Sequence, residues 1–280
     1  MWTEITRRQY GREDLRYASD TTDQEWVLIE AELPPAKKLG RPRTTELREV
    51  VNALLYMLTT GCQWRQLPKE FPAFSTVQRF FYRWRDEGLW QRINHDLLMR
   101  VRAASGREAS PSAGVIDSQS VKTTEAGGPR GYDAGKKING RKRHLLTDTL
   151  GLPVAAVVHP ADVQDRDGAP TVLAAARFLY PWLRHVFADG GYTGAKLATA
   201  LDKIGRWTIQ IVKRCDAATG FVVLPRRWVV ERTLAWLNRN RRLAKDFEAS
   251  LESALNWLFL ASVKLLLRRL GRITHANVVI

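Results

Sequence analysis

Cysteine is nearly absent from this chain of 280 residues: Cys62 and Cys215 are the two present. Two thiols in unrelated contexts make neither a disulfide framework nor a zinc spacing. Residence in the reducing cytoplasm is the expectation. No apolar run reaches the roughly 20 residues that a membrane-spanning helix needs; the longest, within 257–267, is interrupted by Lys264. The first ten residues, Met-Trp-Thr-Glu-Ile-Thr-Arg-Arg-Gln-Tyr, hold no apolar signal core. Acids are the minority charge, 29 Asp and Glu against 44 Lys and Arg, for a formal charge of +15. An excess of that size points to a polyanion, and with no membrane segment the expected partner is nucleic acid. The hydrophobic fraction of 45% is that of an ordinary globular chain, so a real core is expected. There is no internal repeat and no low-complexity tract.

Residues 1–20 are polar and read as an irregular arm. Residues 21–104 read as a helical DNA-binding domain. Its first helix lies within 21–33, capped by Thr22 or Asp23, with Trp26, Ile29 and Leu33 on one face; Pro34-Pro35 stops it. The basic linker Lys37-Lys38-Leu39-Gly40-Arg41-Pro42-Arg43 resembles a minor-groove hook; a solvated linker is the alternative. Leu47, Val50, Val51, Leu54, Leu55 and Leu58 recur at helical spacing before Gly61. The segment 75–88 repeats the pattern with Ser75 as cap, an apolar face of Val77, Phe80, Phe81 and Trp84, and Arg79, Arg83 and Arg85 elsewhere. Two helices joined by a short connection, the second with a basic face, fit a helix-turn-helix reader; a plain bundle with a solvated Arg face is the alternative. A third helix is expected over 89–103. The small, polar stretch 105–113 reads as the linker to a second domain.

From 114 the pattern turns to strands. Val115–Val121 is the first. The segment 125–140 is too glycine-rich for a regular element and too basic for a neutral linker, and Arg141 and Lys142 at its end are expected DNA contacts. Lys142–Thr147 and Pro153–Pro160 flank Asp148-Thr-Leu-Gly-Leu, a hairpin signature. A helix over 167–180, a strand at 185–188, a helix at 195–204, a strand at 207–212 and a long helix over 226–247 follow. The second domain is expected to span 114–250, with a final helix in 251–280 packing on it.

Three acids stand at informative places in this α/β pattern. Asp117 ends the run Gly-Val-Ile-Asp, Asp189 ends Val-Phe-Ala-Asp, and Glu231 lies in the long helix. Clustered carboxylates repel unless cations sit between them. Carboxylates holding divalent metal, in a chain whose Lys and Arg hold a phosphate backbone, suit the cutting and rejoining of nucleic acid. On one continuous helix Arg227, Glu231, Asn238 and Arg242 share a face, and Arg227 and Arg242 are expected to hold substrate phosphates there. Each acid has a plainer reading too: Asp189 as a turn cap before Gly190-Gly191, Glu231 as the intrahelical partner of Arg227.

Ile-Asp-Ser-Gln-Ser-Val-Lys (116–122), Ala-Asp-Gly-Gly-Tyr (188–192), the block 227–248 and Gly-Cys-Gln-Trp-Arg-Gln-Leu-Pro (61–68) together resemble bacterial insertion-sequence transposases of the DDE type, family five. The resemblance covers about residues 14–270. It implies an RNase H-like mixed sheet flanked by helices, preceded by a small all-helical domain. It implies Asp117, Asp189 and Glu231 as the triad that binds two Mg²⁺ ions, with Mn²⁺ able to substitute. Related transposases place a Tyr seven residues before the Glu, an Arg four before and a Lys seven after; here those positions hold Leu224, Arg227 and Asn238. Arg239, Arg242 or Lys245 are expected in place of the Lys, and Trp228 and Trp236 as stacking platforms for an unpaired base or as core.

The implied partner is double-stranded DNA, as terminal inverted repeats and as target. A homodimer or higher assembly is expected on it, because two ends must be held together, and a bacterial nucleoid location follows. A nuclease of the same fold that never joins strands, a regulator whose acids are structural, and an inactive copy are the competing readings.

Overall fold

The structure is a computed structural model, and it describes residues 10–35, 42–212 and 226–278. Residues 10–20 form turns pinned to the first helix: Arg12 pairs with Glu25 at 2.6 Å. Helix α1 (Asp23–Glu30) opens on a complete capping box, with Glu25 N–H donating to Thr22 Oγ1 and Thr22 N–H donating to the Glu25 carboxylate. Removing the hydroxyl leaves an amide of the first turn without its partner. Thr22→Ala is expected to lower stability by about 1 kcal/mol, read as a shift of the urea midpoint at constant slope. Helix α2 (Leu47–Thr60) ends at Gly61, whose φ of 72° is the left-handed cap that glycine adopts without strain. A 3₁₀ turn, Trp64–Gln66, leads to α3 (Phe74–Asp86). Ser75 does not cap α3: the helix begins one residue earlier and its cap position is Ala73, with no side-chain hydrogen bond. Helix α4 (Leu89–Ala104) completes the helical module.

Strands β1 (Ala113–Lys122), β2 (Gly131–Asp133), β3 (Ile138–Asp148) and β4 (Pro153–Pro160) come next. They are followed by α5 (Asp165–Leu179), β5 (His185–Ala188), α6 (Ala195–Ile204) and β6 (Thr208–Ile211). Helix α7 (Trp228–Asn238) and α8 (Leu251–Val278) close the chain. The sheet runs β2-β3-β1-β5-β6, and β4 also pairs with β3. β1 is antiparallel to β3 and parallel to β5, so the sheet is mixed. Helices before a mixed, helix-flanked sheet make the N-terminal helical domain and RNase H-like domain architecture.

Three expectations are corrected. The segment 125–140 is not wholly irregular, because Gly131–Asp133 pairs with the start of β3. The helix expected over 226–247 ends at Asn238, and the chain turns through a 3₁₀ segment at Arg241–Leu243. Buried partners hold that turn: the Arg242 guanidinium meets Glu248, the Cys62 carbonyl and the Trp257 ring. The last helix, expected against the sheet domain, packs on α4 as well as on β4, and touches α1, α2 and α3. One continuous apolar core results, from Ile29 through Trp84, Val115 and Phe187 to Leu270. Leu224, Cys215 and the stretch Lys37–Arg41 of the basic linker lie outside the described residues.

Candidate catalytic site

The site is built in the middle of β1 and just past the end of β5. Val115 pairs with Phe187 in the parallel ladder. Asp117 lies two residues further along β1, and Asp189 lies one residue beyond the end of β5, near enough for its charge to act on Asp117. Apolar runs bring the chain there because both strands are buried: Val115, Ile116, Val186 and Phe187 are core. Asp189 then caps a 3₁₀ turn, its Oδ1 accepting from Gly191 N–H at 2.8 Å. Asp117 Oδ1 accepts from Ser118 N–H at 2.7 Å. Burial pushes the Asp117 carboxyl up to about 6; the negative charge of Asp189 adds to the rise, and the Ser118 amide, Arg227 and Lys136 oppose it.

Glu231 comes from the first turn of α7, which lays Val230, Leu234 and Leu237 on the core. Its carboxylate is exposed and accepts from Arg227 Nη2 at 3.1 Å. The same Nη2 lies 3.9 Å from Asp189 Oδ2. Arg227 therefore stands between two of the three acids, and its Nε is buried without a hydrogen-bond partner. Arg226 just before it has φ 69°, an uncommon left-handed conformation for a side-chain-bearing residue, and lays its guanidinium over Phe187 at 4.4 Å.

Asp165, Asp133 and Lys136, which sequence reasoning did not single out, complete the region together with Lys142, which it expected on DNA. Asp165, the first residue of α5, accepts from Ser118 Oγ at 2.7 Å and pairs with Lys142 Nζ at 3.1 Å. Burial pushes Asp165 up, but the Ser118 hydroxyl and Lys142 outweigh it and hold the carboxyl below its usual range. Lys142 also faces Asp133 at 3.5 Å, and Lys136 Nζ donates to the Ser118 carbonyl at 3.1 Å. The Tyr192 hydroxyl is buried, and burial with Asp165, Asp117 and Asp189 nearby raises it well above its ordinary range, so it stays protonated. The sequence signal for Asp165 was its place one element after the β3–β4 hairpin, at a helix start; in isolation that reads as a capping acid.

The expected DNA contacts divide. Arg79, Arg83, Arg239 and Lys245 are exposed. Arg85 is partly covered, bonded to Asp86 and Ser253. Arg141 and Arg242 are corrected, because both are buried and engaged with protein. Arg141, 0% exposed, binds Asp246 at 3.0 Å and the carbonyls of Pro129, Ala249 and Ser250. Arg242 is sandwiched as described above and does not share the face of Arg227 and Glu231. Lys142 is buried too, within the carboxylate network. Trp236 is half-buried beneath Arg232, whose guanidinium lies 4.4 Å from both the Trp228 and Trp236 rings.

The donor set suits a hard divalent ion: carboxylate oxygens from β1 and from the turn after β5, one of them raised chiefly by burial, beside an arginine standing where positive charge is wanted. Among the described residues, no group of three or more His, Cys, Asp or Glu side chains is close enough to hold a metal ion as placed. Nor is any described helix long and apolar enough to cross a membrane.

Comparison with known proteins agrees with this architecture. A family model described as "Transposase DDE domain" matches residues 108–266. A second, described as "Putative transposase of IS4/5 family", matches residues 21–94. The chain is 35% identical over 111 residues to the "Insertion element IS402 uncharacterized 16.2 kDa protein" of Burkholderia cepacia, covering 38% of this chain and 74% of that protein. It is 34% identical over 116 residues to the "Putative transposase for insertion sequence element IS402" of the same organism, covering 39% of this chain and 54% of the relative. No solved structure matches. Members of the DDE family generally use divalent metal ions. A mixed sheet preceded by helices and a family match across more than half of the chain lead to one assignment: the chain belongs to the DDE transposases of bacterial insertion sequences.

Proposed function

We propose that Asp117, Asp189 and Glu231 are the metal-binding catalytic triad, and that the protein nicks DNA at terminal inverted repeats and joins the freed 3′-hydroxyl to target DNA. What supports this reading is Asp117 on the strand that pairs with β5, Asp189 directly after β5, and Arg227 reaching from Asp189 to Glu231. When bound, two Mg²⁺ ions, for which Mn²⁺ substitutes, supply Lewis acidity at the scissile phosphate and charge neutralisation at the leaving oxygen. Arg227, with its unpaired buried Nε, orients a phosphate oxygen. Rotation of Glu231 from Arg227 towards Asp117 and Asp189 would complete the carboxylate set. Both steps are in-line displacements at phosphorus, first by water and then by the 3′-hydroxyl, so one site serves both. The exposed Arg79 and Arg83 of α3 fit a duplex held by the helical module. Two ends held together imply a dimer or higher assembly on the DNA, in the cytoplasm at the nucleoid. The test is a labelled inverted-repeat end incubated with supercoiled plasmid and Mg²⁺ or Mn²⁺. Metal-dependent nicking followed by covalent joining is expected. Nicking without joining would assign a nuclease, and neither activity would leave the acids structural.

A further inference from the structure

A second concentration of charge lies away from the acids, between α7, α8 and the β3–β4 turn. It is a cavity of about 700 Å³. Six cations line it: Arg232, Arg239, Lys264, Arg268, Arg269 and Arg272. Among the described residues, no Asp or Glu lines it. The charge there is only partly offset, by Glu25 and Asp148 outside the lining, and the side chains register it. Burial pushes the Lys264 ammonium down to about 7, with Arg268 and Arg12 adding to the fall. Burial also lowers Arg268 to about 10. Lys264 is fixed by Thr59 Oγ1 and Asn240 Oδ1 at 2.5 and 2.8 Å. Arg232 is fixed by the Leu150 carbonyl at 2.8 Å and by its two tryptophans. Such groups cost free energy as they stand and are relieved by an anion.

The position relative to Glu231 follows from helix geometry. Trp228, Arg232 and Trp236 form one stripe of α7, and Arg227 and Glu231 belong to the next, about 100° around the axis. A strand leaving the acids would reach the cavity by passing from one face of α7 to the adjoining one.

We propose that this cavity holds the phosphate backbone of the DNA strand that leaves the acid site. The proposal rests on the DNA-cutting reading above. Phosphodiester is favoured over a lone small anion because the six cations are spread along two helices.

The test uses the full chain and a fluorescently labelled duplex of random sequence, with binding followed by anisotropy over a salt series. Losing two phosphate contacts lowers the slope of log affinity against log salt by about two. The variant pair Arg239→Ala with Arg269→Ala is expected to show that loss and weaker binding, and the pair Arg239→Lys with Arg269→Lys to keep the slope. If the double alanine variant does not fold, Arg239→Ala alone is expected to lower the slope by about one. An unchanged slope in a folded alanine variant overturns the proposal. A parallel series in inorganic phosphate at matched ionic strength is the second arm; extra competition in the wild type that vanishes in the variant would assign a small-anion pocket and overturn the DNA assignment. Asp117→Asn separates this idea from the catalytic one. Normal nicking by that variant would end the triad reading and leave the cavity result standing. A lost slope effect with nicking abolished would do the reverse.

Discussion

Asp117→Asn is expected to abolish metal-dependent nicking while making the metal-free protein more stable at neutral pH. Loss of a metal ligand removes several kcal/mol of transition-state stabilisation. At about 1.4 kcal/mol per factor of ten, nicking falls by roughly a thousandfold or more. The stability effect has the opposite sign, and its pH window follows from the carboxyl itself. Burial raises Asp117 from 3.8 to about 6 in the folded protein. Below 3.8 the group is protonated folded and unfolded, and it is neutral to stability. As pH rises towards 6, the unfolded chain ionises first and folding loses free energy; above 6 the whole penalty is present. On the shift alone it is on the order of 1–3 kcal/mol. Chemical denaturation in EDTA at pH 5 and pH 8 measures it, with the variant's advantage larger at pH 8. A variant less stable than wild type at pH 8 would mean that Asp117 holds the fold together and is not reserved for a cation.

Asp148→Ala is expected to be the most damaging single change outside the acids. Asp148 is fully buried at the end of β3, where Oδ1 accepts from the Leu150 and Leu152 amides of the hairpin turn and Oδ2 takes Arg102 of α4. Arg102 is itself buried. Truncation leaves a buried guanidinium without its counter-charge and two amides without an acceptor. The expected cost is about 3–5 kcal/mol, seen as a melting temperature lower by on the order of 10 °C. Because the loss comes from stranding a charge, adding Arg102→Met to the variant should recover part of it. A double variant no better than Asp148→Ala would place the damage in the turn alone.

The parts of this molecule that local chemistry dictates were readable in order along the chain. Thr22 or Asp23 announced a capped helix, Asp148-Thr-Leu-Gly-Leu a hairpin, and two apolar runs ending in aspartate a pair of buried strands. The offset between those runs is the register that the parallel ladder adopts. What could not be read depends on partners far away in sequence. Arg141 looked like a surface cation until Asp246 was placed beside it, and Arg242 until Trp257 and Cys62 were. The same long-range contacts end α7 nine residues before its helical pattern does. Asp165 was passed over because its Ser118 and Lys142 partners meet only across the sheet.

The continuous core from α1 to α8 has a mechanical consequence. Arg102 joined to Asp148, Arg242 joined to the Cys62 carbonyl and α8 lying against both α4 and β4 leave the helical module no freedom to swing about the chain at 105–113. A duplex gripped by α3 would meet the carboxylates at one fixed offset. On the proposed function the fold would act as a ruler, the point of strand opening being measured from where the duplex is held.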